Sequence, residues 1–476
     1  MAKQIKTDIC VIGGGSGGLS VAAGASQMGA KTVLVEGGKM GGDCLNYGCV
    51  PSKALIAAAK KAASLKDAAN FGVSGAAPEV DFPKVMDHVQ DVIASIAPHD
   101  SVERFEGLGV EVLQGFGRFV SEFELEVDDV RIKARRFVIA TGSRATAPPI
   151  AGLEEAGYLT NETIFENRTK PDHLIIIGGG PIGLEMAQAH VRLGSSVTVL
   201  EAFKAFGRDD SDLSKIVLEE LRRDGIDIRE EVKISHVVKD KTGTYHISLG
   251  EGETAETLAG SHLLVAAGRK ANVETLNLEA AGVEYTPKGV KVDSRLRTSN
   301  KKIYAIGDVA GGYQFTHIAN YHAGIFIRNA LFRLPAKVDY SAVPWVTFTD
   351  PELANVGLNE AAAREQYGDK IKVLTFPFSD IDRARTERQT DGMIKAVTTS
   401  KGRILGAGIV GPHAGELIHP WGLAISEKLK IGAMASYIAP YPTYGEISKR
   451  VAGSYYTPSL FSSRTRAIVK FLSFFG

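Results

Sequence analysis

A long-range duplication restricts the fold of this chain more than any other feature. Residues 8–18 run Asp-Ile-Cys-Val-Ile-Gly13-Gly14-Gly15-Ser16-Gly17-Gly18, so an apolar strand pattern enters G-x-G-x-x-G at Gly13, Gly15 and Gly18. A helical Leu-Ser-Val-Ala-Ala stretch follows, and a second apolar run, Thr32–Val35, ends at Glu36. The scheme returns with Leu174–Ile177, then Gly178, Gly180 and Gly183, a helical stretch, Val197–Leu200 and Glu201. The spacing from last glycine to acid is the same in both copies. Such glycines allow a tight turn and let backbone approach a pyrophosphate, while the helix N-terminus favours phosphate charge. The terminal carboxylate accepts from a ribose hydroxyl. One such motif is weak evidence, because glycine-rich turns are common. Two copies with strand, helix, second strand and acid in register predict two dinucleotide sites.

The second constraint is Gly41-Gly42-Asp43-Cys44-Leu45-Asn46-Tyr47-Gly48-Cys49-Val50-Pro51-Ser52-Lys53. Pro51 suits the first turn of a helix, where its missing N–H leaves no bond unmade. Cys49 then sits at a helix N-terminus, where the dipole favours a thiolate. Lys53, four residues on, shares its face. Glycines at 41, 42 and 48 let the backbone bend enough to bring the two sulfurs to disulfide distance. Two buried loop cysteines or half of a metal site are the plainer readings. A structural zinc site needs about four ligands, and the chain has 3 cysteines. No metal site is expected. Cys10, in Ile9-Cys10-Val11-Ile12, reads as a strand core residue.

The chain's 476 residues suggest two to four domains. Its 55 basic and 55 acidic residues cancel, so no nucleic-acid partner is expected. Few cysteines in a long chain fit a catalytic pair in a reducing compartment rather than a stapled secreted fold. Met1–Asp8 is polar with no signal-peptide core, and no apolar run is long enough to cross a membrane. A cytoplasmic protein is expected.

These motifs, in this order, resemble the pyridine nucleotide–disulfide oxidoreductase family, which includes dihydrolipoamide dehydrogenase, glutathione reductase and mercuric reductase. The Gly-Gly-Asp-Cys-Leu-Asn variant looks most similar to the mercuric-reductase-like branch. The resemblance covers nearly the whole chain. It implies an α/β fold with two Rossmann-like domains and a C-terminal α+β dimerisation domain. An FAD domain is expected over 1–150 and 271–343, a nicotinamide domain over 151–270, and the dimerisation domain over 344–476. The resemblance implies FAD at the first motif and a nicotinamide nucleotide at the second. It places further cofactor contacts at Gly42, Lys53, Thr141, Gly142, Gly268, Arg269, Gly307, Asp308 and His317. Ala271 stands where the family usually has a proline after that arginine. Glu201 would bind a ribose 2′-hydroxyl and repel a 2′-phosphate, so NADH is expected over NADPH. Lys204 and Arg208 lie just beyond and read as solvated loop charges.

The catalytic set carried by the resemblance is Cys44, Cys49, Lys53, Glu185, Tyr441 and Glu446. Glu185 pairs with Lys53 beside the flavin, Cys49 is the flavin-proximal sulfur, and Cys44 is the exposed interchange thiol. Thr316-His317-Ile318 opens a further helix near the ring, with His317 more structural than catalytic. Disulfide-reducing relatives carry His-Pro-Thr and then Glu near the C-terminus, on the partner subunit. Here Pro442, Thr443 and Glu446 match, but the histidine is Tyr441. A phenol with pKa near 10 is a poor base at neutral pH. Mercuric reductases also have the tyrosine, but add a C-terminal cysteine pair that this chain lacks. His419 is an alternative proton handler, though a histidine at a helix start is more often structural.

The expectation is therefore an NADH-dependent FAD reductase, a homodimer with shared sites. It passes electrons through Cys44–Cys49 to a disulfide, a thiophilic metal ion or a small oxidant such as a quinone. A dihydrolipoamide dehydrogenase is the rival enzyme; a low-turnover flavin-binding or membrane-associated redox partner protein is the rival class. The segment Ser462–Phe475 mixes Arg464, Arg466 and Lys470 with apolar residues. Docking on the protein's own dimer is the first expectation for it, and a weak contact with an anionic membrane surface the second.

Overall fold

The computed structural model describes residues 3–75, 79–250 and 256–476. By packing, the chain forms two units, residues 1–203 with 227–338, and residues 204–226 with 339–476. The first unit holds both nucleotide motifs. Its larger sheet has seven strands, ordered Val110–Gln114, Thr32–Glu36, Lys3–Ile12, Val130–Ile139, Glu124–Val127 and Arg118–Ser121, with Ile303–Ala305 also on Val130–Ile139. Lys3–Ile12 is parallel to both neighbours. Its inner half is fully buried, with Cys10 and Val11 at 0 % exposure; Val11 faces the helical residues Leu19, Val21 and Phe326, and Cys10 faces Phe119, Leu125 and the segment around Leu278 and Val283. Cys10 is a core residue, and burial pushes its thiol up.

The second nucleotide motif opens on a four-stranded parallel sheet, ordered Asp227–Arg229, Ser196–Leu200, His173–Ile177 and His262–Val265. A three-stranded antiparallel sheet, Ile234–Lys239, Tyr245–Leu249 and Glu256–Gly260, shares its apolar core. Ser143–Ala145 and Arg269–Ala271 pair antiparallel.

The second unit is built on a five-stranded antiparallel sheet, ordered Pro344–Thr347, Glu352–Gly357, Ile404–Gly411, Met393–Thr399 and Ile371–Pro377. Its core gathers around Trp421, whose indole N–H donates to Ser448 at 3.0 Å. The helix Ser211–Arg223 packs on this sheet, with Leu213 over Gly408. Residues 204–226 thus lie inside the span expected for the nicotinamide domain but pack with residues 339–476. A buried cation anchors the helix. Lys395, 5 % exposed, reaches Asp210 at 2.8 Å, Asp212 at 2.6 Å and Glu360 at 3.3 Å. Removing one partner of a buried ion pair strands the other in low dielectric. Lys395→Ala is therefore expected to destabilise this unit by about 3 kcal/mol. Denaturant unfolding of the full chain checks this, and an unshifted midpoint would remove the cluster from the stability account.

Candidate active site

The two nucleotide motifs fold as near copies. The Gly13 N–H donates to Val35 at 2.8 Å, and the Gly178 N–H to Leu200 at 2.9 Å. These two glycines have φ of +111 and +116, in the region only glycine enters freely. A side chain on either would meet the backbone of the neighbouring crossing strand end, Ala140 or Ala266. Gly18 and Gly183 sit so close to Gly13 and Gly178 that a Cβ would strike their carbonyls. The middle glycines differ. A Cβ on Gly180 would meet nothing within 4 Å, and one on Gly15 only the Gly42 Cα at 3.9 Å. Each faces open space at the start of its helix, Ser16–Gln27 or Pro181–Arg192. That is the cradle a pyrophosphate needs, so the donor set fits FAD and a nicotinamide dinucleotide.

The acids repeat the same geometry. Glu36 accepts from the Gly14 N–H and, at 2.5 Å, from the Gly38 N–H. Glu201 accepts from the Gly179 N–H at 2.7 Å and the Phe203 N–H at 2.8 Å. Each carboxylate oxygen keeps a lone pair for a ribose hydroxyl.

The redox segment is built by two short turns of chain. Gly41 and Gly42 adopt φ of +87 and +61 and start the helix Gly42–Asn46, which carries Cys44. Cys49 is the first residue of the helix Cys49–Asp67. Both cysteines are thiols, hydrogen-bonded to each other. Cys49 also lies 3.5 Å from the hydroxyl of Thr316, first residue of the helix Thr316–Ala330. The Cys49 thiol is pulled down to about 6, chiefly by the hydrogen bond from Cys44. Burial and Asp43 oppose this; Thr316 and the Lys53 charge add to it. The Cys44 thiol is pushed up by the same hydrogen bond and by burial. Cys44 is half-buried in the protomer.

One turn along, the Lys53 ammonium meets Glu185 at 2.8 Å. Glu185 is 6 % exposed on the second nucleotide helix, so the pair joins two chain segments 132 positions apart. The buried carboxylate holds the ammonium of the redox helix against the second nucleotide helix.

A network that the sequence did not announce braces Cys44. Asp43 accepts from Asn161 at 3.0 Å and pairs with Arg269 at 3.2 Å. The Arg269 Nε–H donates to Ser143 at 2.8 Å, and the Ser143 hydroxyl to Asp308 at 2.6 Å. Burial raises the Asp308 carboxyl. Beside it the Gly307 N–H donates to His322 at 3.1 Å, and burial holds that imidazole neutral, down to about 4. Thr141 donates to the Asn272 carbonyl at 2.7 Å, while Gly142, at φ +69, has open space where a Cβ would point. Gly268 is exposed beside Arg269. His317 is exposed in the protomer and stacks on Phe315 at 5.2 Å.

In the second unit Tyr441 is 69 % exposed. Its hydroxyl donates to Asp382 at 3.1 Å, which raises its pKa further above neutrality. Glu446 starts the helix Glu446–Ser454 and pairs with Arg450 at 3.9 Å. His419 is exposed at the start of the helix His419–Ser426.

The family model for pyridine nucleotide-disulphide oxidoreductase matches residues 7–323, and the dimerisation domain of the same family matches residues 343–452. The chain belongs to this family. It is an FAD-dependent pyridine nucleotide-disulphide oxidoreductase with a dimerisation domain. Mercuric reductase from Bacillus cereus is 35 % identical over 92 % of this chain and 70 % of its own length. Dihydrolipoyl dehydrogenase from Bacillus subtilis (strain 168) is 32 % identical over 92 % of this chain and 96 % of its own. Among solved structures, the Cu(II) complex of the HOCl-induced flavoprotein disulfide reductase RclA from Escherichia coli superimposes with a TM-score of 0.85 at 27 % identity. It covers 94 % of this chain and 99 % of that one. Asp43, Asn161, Ser143 and Asp382 were missed from sequence because each acts through a partner far away in the chain.

Proposed function

We propose that the enzyme takes electrons from NADH and delivers them through the Cys44–Cys49 pair to a thiophilic metal ion. FAD, when bound, carries the electron pair from the nicotinamide to the disulfide. Opening the disulfide leaves Cys49 as thiolate and Cys44 as thiol, the arrangement favoured by Lys53 and Thr316. The observation that carries the substrate class is Tyr441, a protonated phenol at the place where disulfide-reducing relatives keep a base. Cys44 holds its proton tightly, so an organic disulfide meets a poor nucleophile without help. A soft metal ion needs no protein base, since binding to sulfur itself releases the proton. With Cu(II), one thiol and one thiolate reduce two ions to Cu(I), re-form the S–S bond and release one proton. The mercuric reductases and the Cu(II) complex of the RclA protein are consistent with that class. The two protomers of a homodimer would share each site, Tyr441 of one serving Cys44 of the other.

The test is anaerobic reduction by NADH, then stopped-flow reoxidation by Cu(II), Hg(II), organic disulfides and quinones. Metal ions are expected to reoxidise the dithiol fastest. Disulfides or quinones matching them would overturn the assignment. Rapid turnover of dihydrolipoamide would instead favour a dihydrolipoamide dehydrogenase.

Coenzyme choice follows from Glu201. NADH is expected to exceed NADPH in kcat/KM, because the carboxylate would repel a 2′-phosphate. Glu201→Ala should narrow the gap by roughly 1–3 kcal/mol, one charged hydrogen bond. Equal use of both coenzymes by the unaltered enzyme would refute this role.

A further inference from the structure

We propose that the C-terminal helix is an amphipathic anchor that lays the enzyme on an anionic lipid bilayer; this stands apart from the substrate reading. The helix Ser463–Leu472 is properly started. The Ser462 hydroxyl accepts from the Thr465 N–H at 3.2 Å, and the Thr465 hydroxyl donates to the Ser459 carbonyl at 2.7 Å. None of its residues is buried. Ile468, Phe471, Leu472 and Phe475 follow the i, i+3, i+4, i+7 spacing of one helical face. The turn continues past Leu472, and the rings of Phe471 and Phe475 meet edge-on at 5.3 Å. They remain 61 % and 75 % exposed. Arg466, Lys470 and Ser473 take the opposite face, while Arg464, in the first turn, lies on the apolar side, where its long stem can reach up to a polar surface.

Charge selects the occupant. From Ile447 to Gly476 there is no aspartate or glutamate, while Lys449, Arg450, Arg464, Arg466 and Lys470 are all cationic. The chain as a whole has 55 residues of each sign. Such a segment complements an anionic surface. Within the helix the apolar arc from Ala467 through Phe471 and Ile468 to Leu472 spans roughly 140° at 3.6 residues per turn, and Phe474, 79 % exposed, follows just past its end. That exceeds a narrow helix-pairing seam and suits a helix lying flat in a lipid interface. The helix is too short to cross a bilayer.

The test uses the full-length FAD-loaded enzyme. Cosedimentation is compared for vesicles of phosphatidylcholine alone and of phosphatidylcholine mixed with phosphatidylglycerol. Binding to the mixed vesicles is expected with a partition coefficient on the order of 10⁴ M⁻¹. It should be roughly 10-fold or more weaker on neutral vesicles and weaken with salt. Phe471→Ser and Phe475→Ser should each lower it about 10-fold or more, with flavin content and dimer mass unchanged. Absent binding, or equal binding to both vesicle types, would overturn the proposal. Loss of the dimer in these variants would make the helix a subunit contact instead. Binding to polyglutamate but not to vesicles would point to an acidic protein.

Discussion

Two-electron reduction should produce a long-wavelength thiolate-to-flavin absorption band that is present at pH 7 and fades as the pH falls through about 6. The sign follows from the site. Cys49 is held below the ordinary thiol range, at about 6, by Cys44, Thr316 and Lys53, so its thiolate exists above that pH and is protonated below it. Cys49→Ser removes the donor sulfur. The band should vanish, and NADH-dependent reduction of the oxidant should fall by more than about 10³-fold, because the sulfurs act as a unit. Cys44→Ala should keep the band without prior reduction, since Cys49 can no longer be oxidised to a disulfide. Its midpoint should move to higher pH, because the largest stabilising hydrogen bond is gone. Spectral titration under anaerobic conditions reads all three. Reduction that only bleaches the flavin would mean that the dithiol is not in redox contact.

Tyr441→His should recover, in dihydrolipoamide oxidation, a measurable part of the about 10²–10⁴-fold that positioned general-base catalysis contributes. A dithiol substrate must lose protons as it reduces the enzyme disulfide. The tyrosine hydroxyl is committed as a donor to Asp382 and its pKa lies above its ordinary value, so it accepts no proton near pH 7. An imidazole has its pKa near 6.5. Asp382 is already placed to orient such a ring and to hold its tautomer. Glu446, engaged with Arg450, is the weaker candidate for that task. The rate of the variant should rise with pH through about 6–7. Full recovery is not expected, because the shell was built around a phenol. Steady-state assays across pH decide the matter. Fast turnover by the unaltered enzyme would show that another base, such as His419, already serves. A variant no faster than the unaltered enzyme would remove Tyr441 from the interchange site.

Much of the site was legible because its parts are local. The glycine motifs, Glu36, Glu201 and the Cys44–Cys49 segment each lie within a few dozen residues of chain, and their backbone demands are written in residue types. Gly13 and Gly178 needed positive φ, and only glycine supplies it cheaply. The Lys53–Glu185 pair spans distant segments and came from the family resemblance, not from spacing. The bracing of Cys44 by Asp43, Asn161, Arg269, Ser143 and Asp308 was not legible. Those residues come from four distant stretches, and nothing in any one stretch distinguishes a braced carboxylate from a solvated one.

Exposure and packing partner were decided in three dimensions. Composition says that Cys44 and Cys49 are alike; the fold makes Cys44 the proton-holding donor and sets Cys49 at a helix N-terminus beside Thr316 and Lys53. Chain order puts Ser211–Arg223 beside the second nucleotide motif, yet its apolar face and the buried Lys395–Asp210 pair join it to the C-terminal sheet. Sequence determined where the chain must turn, because φ preferences and hydrophobic period are properties of neighbouring residues. Tertiary structure decided which charges are paired and which thiol ionises, because desolvation and Coulomb energies depend on distances between residues far apart in the chain.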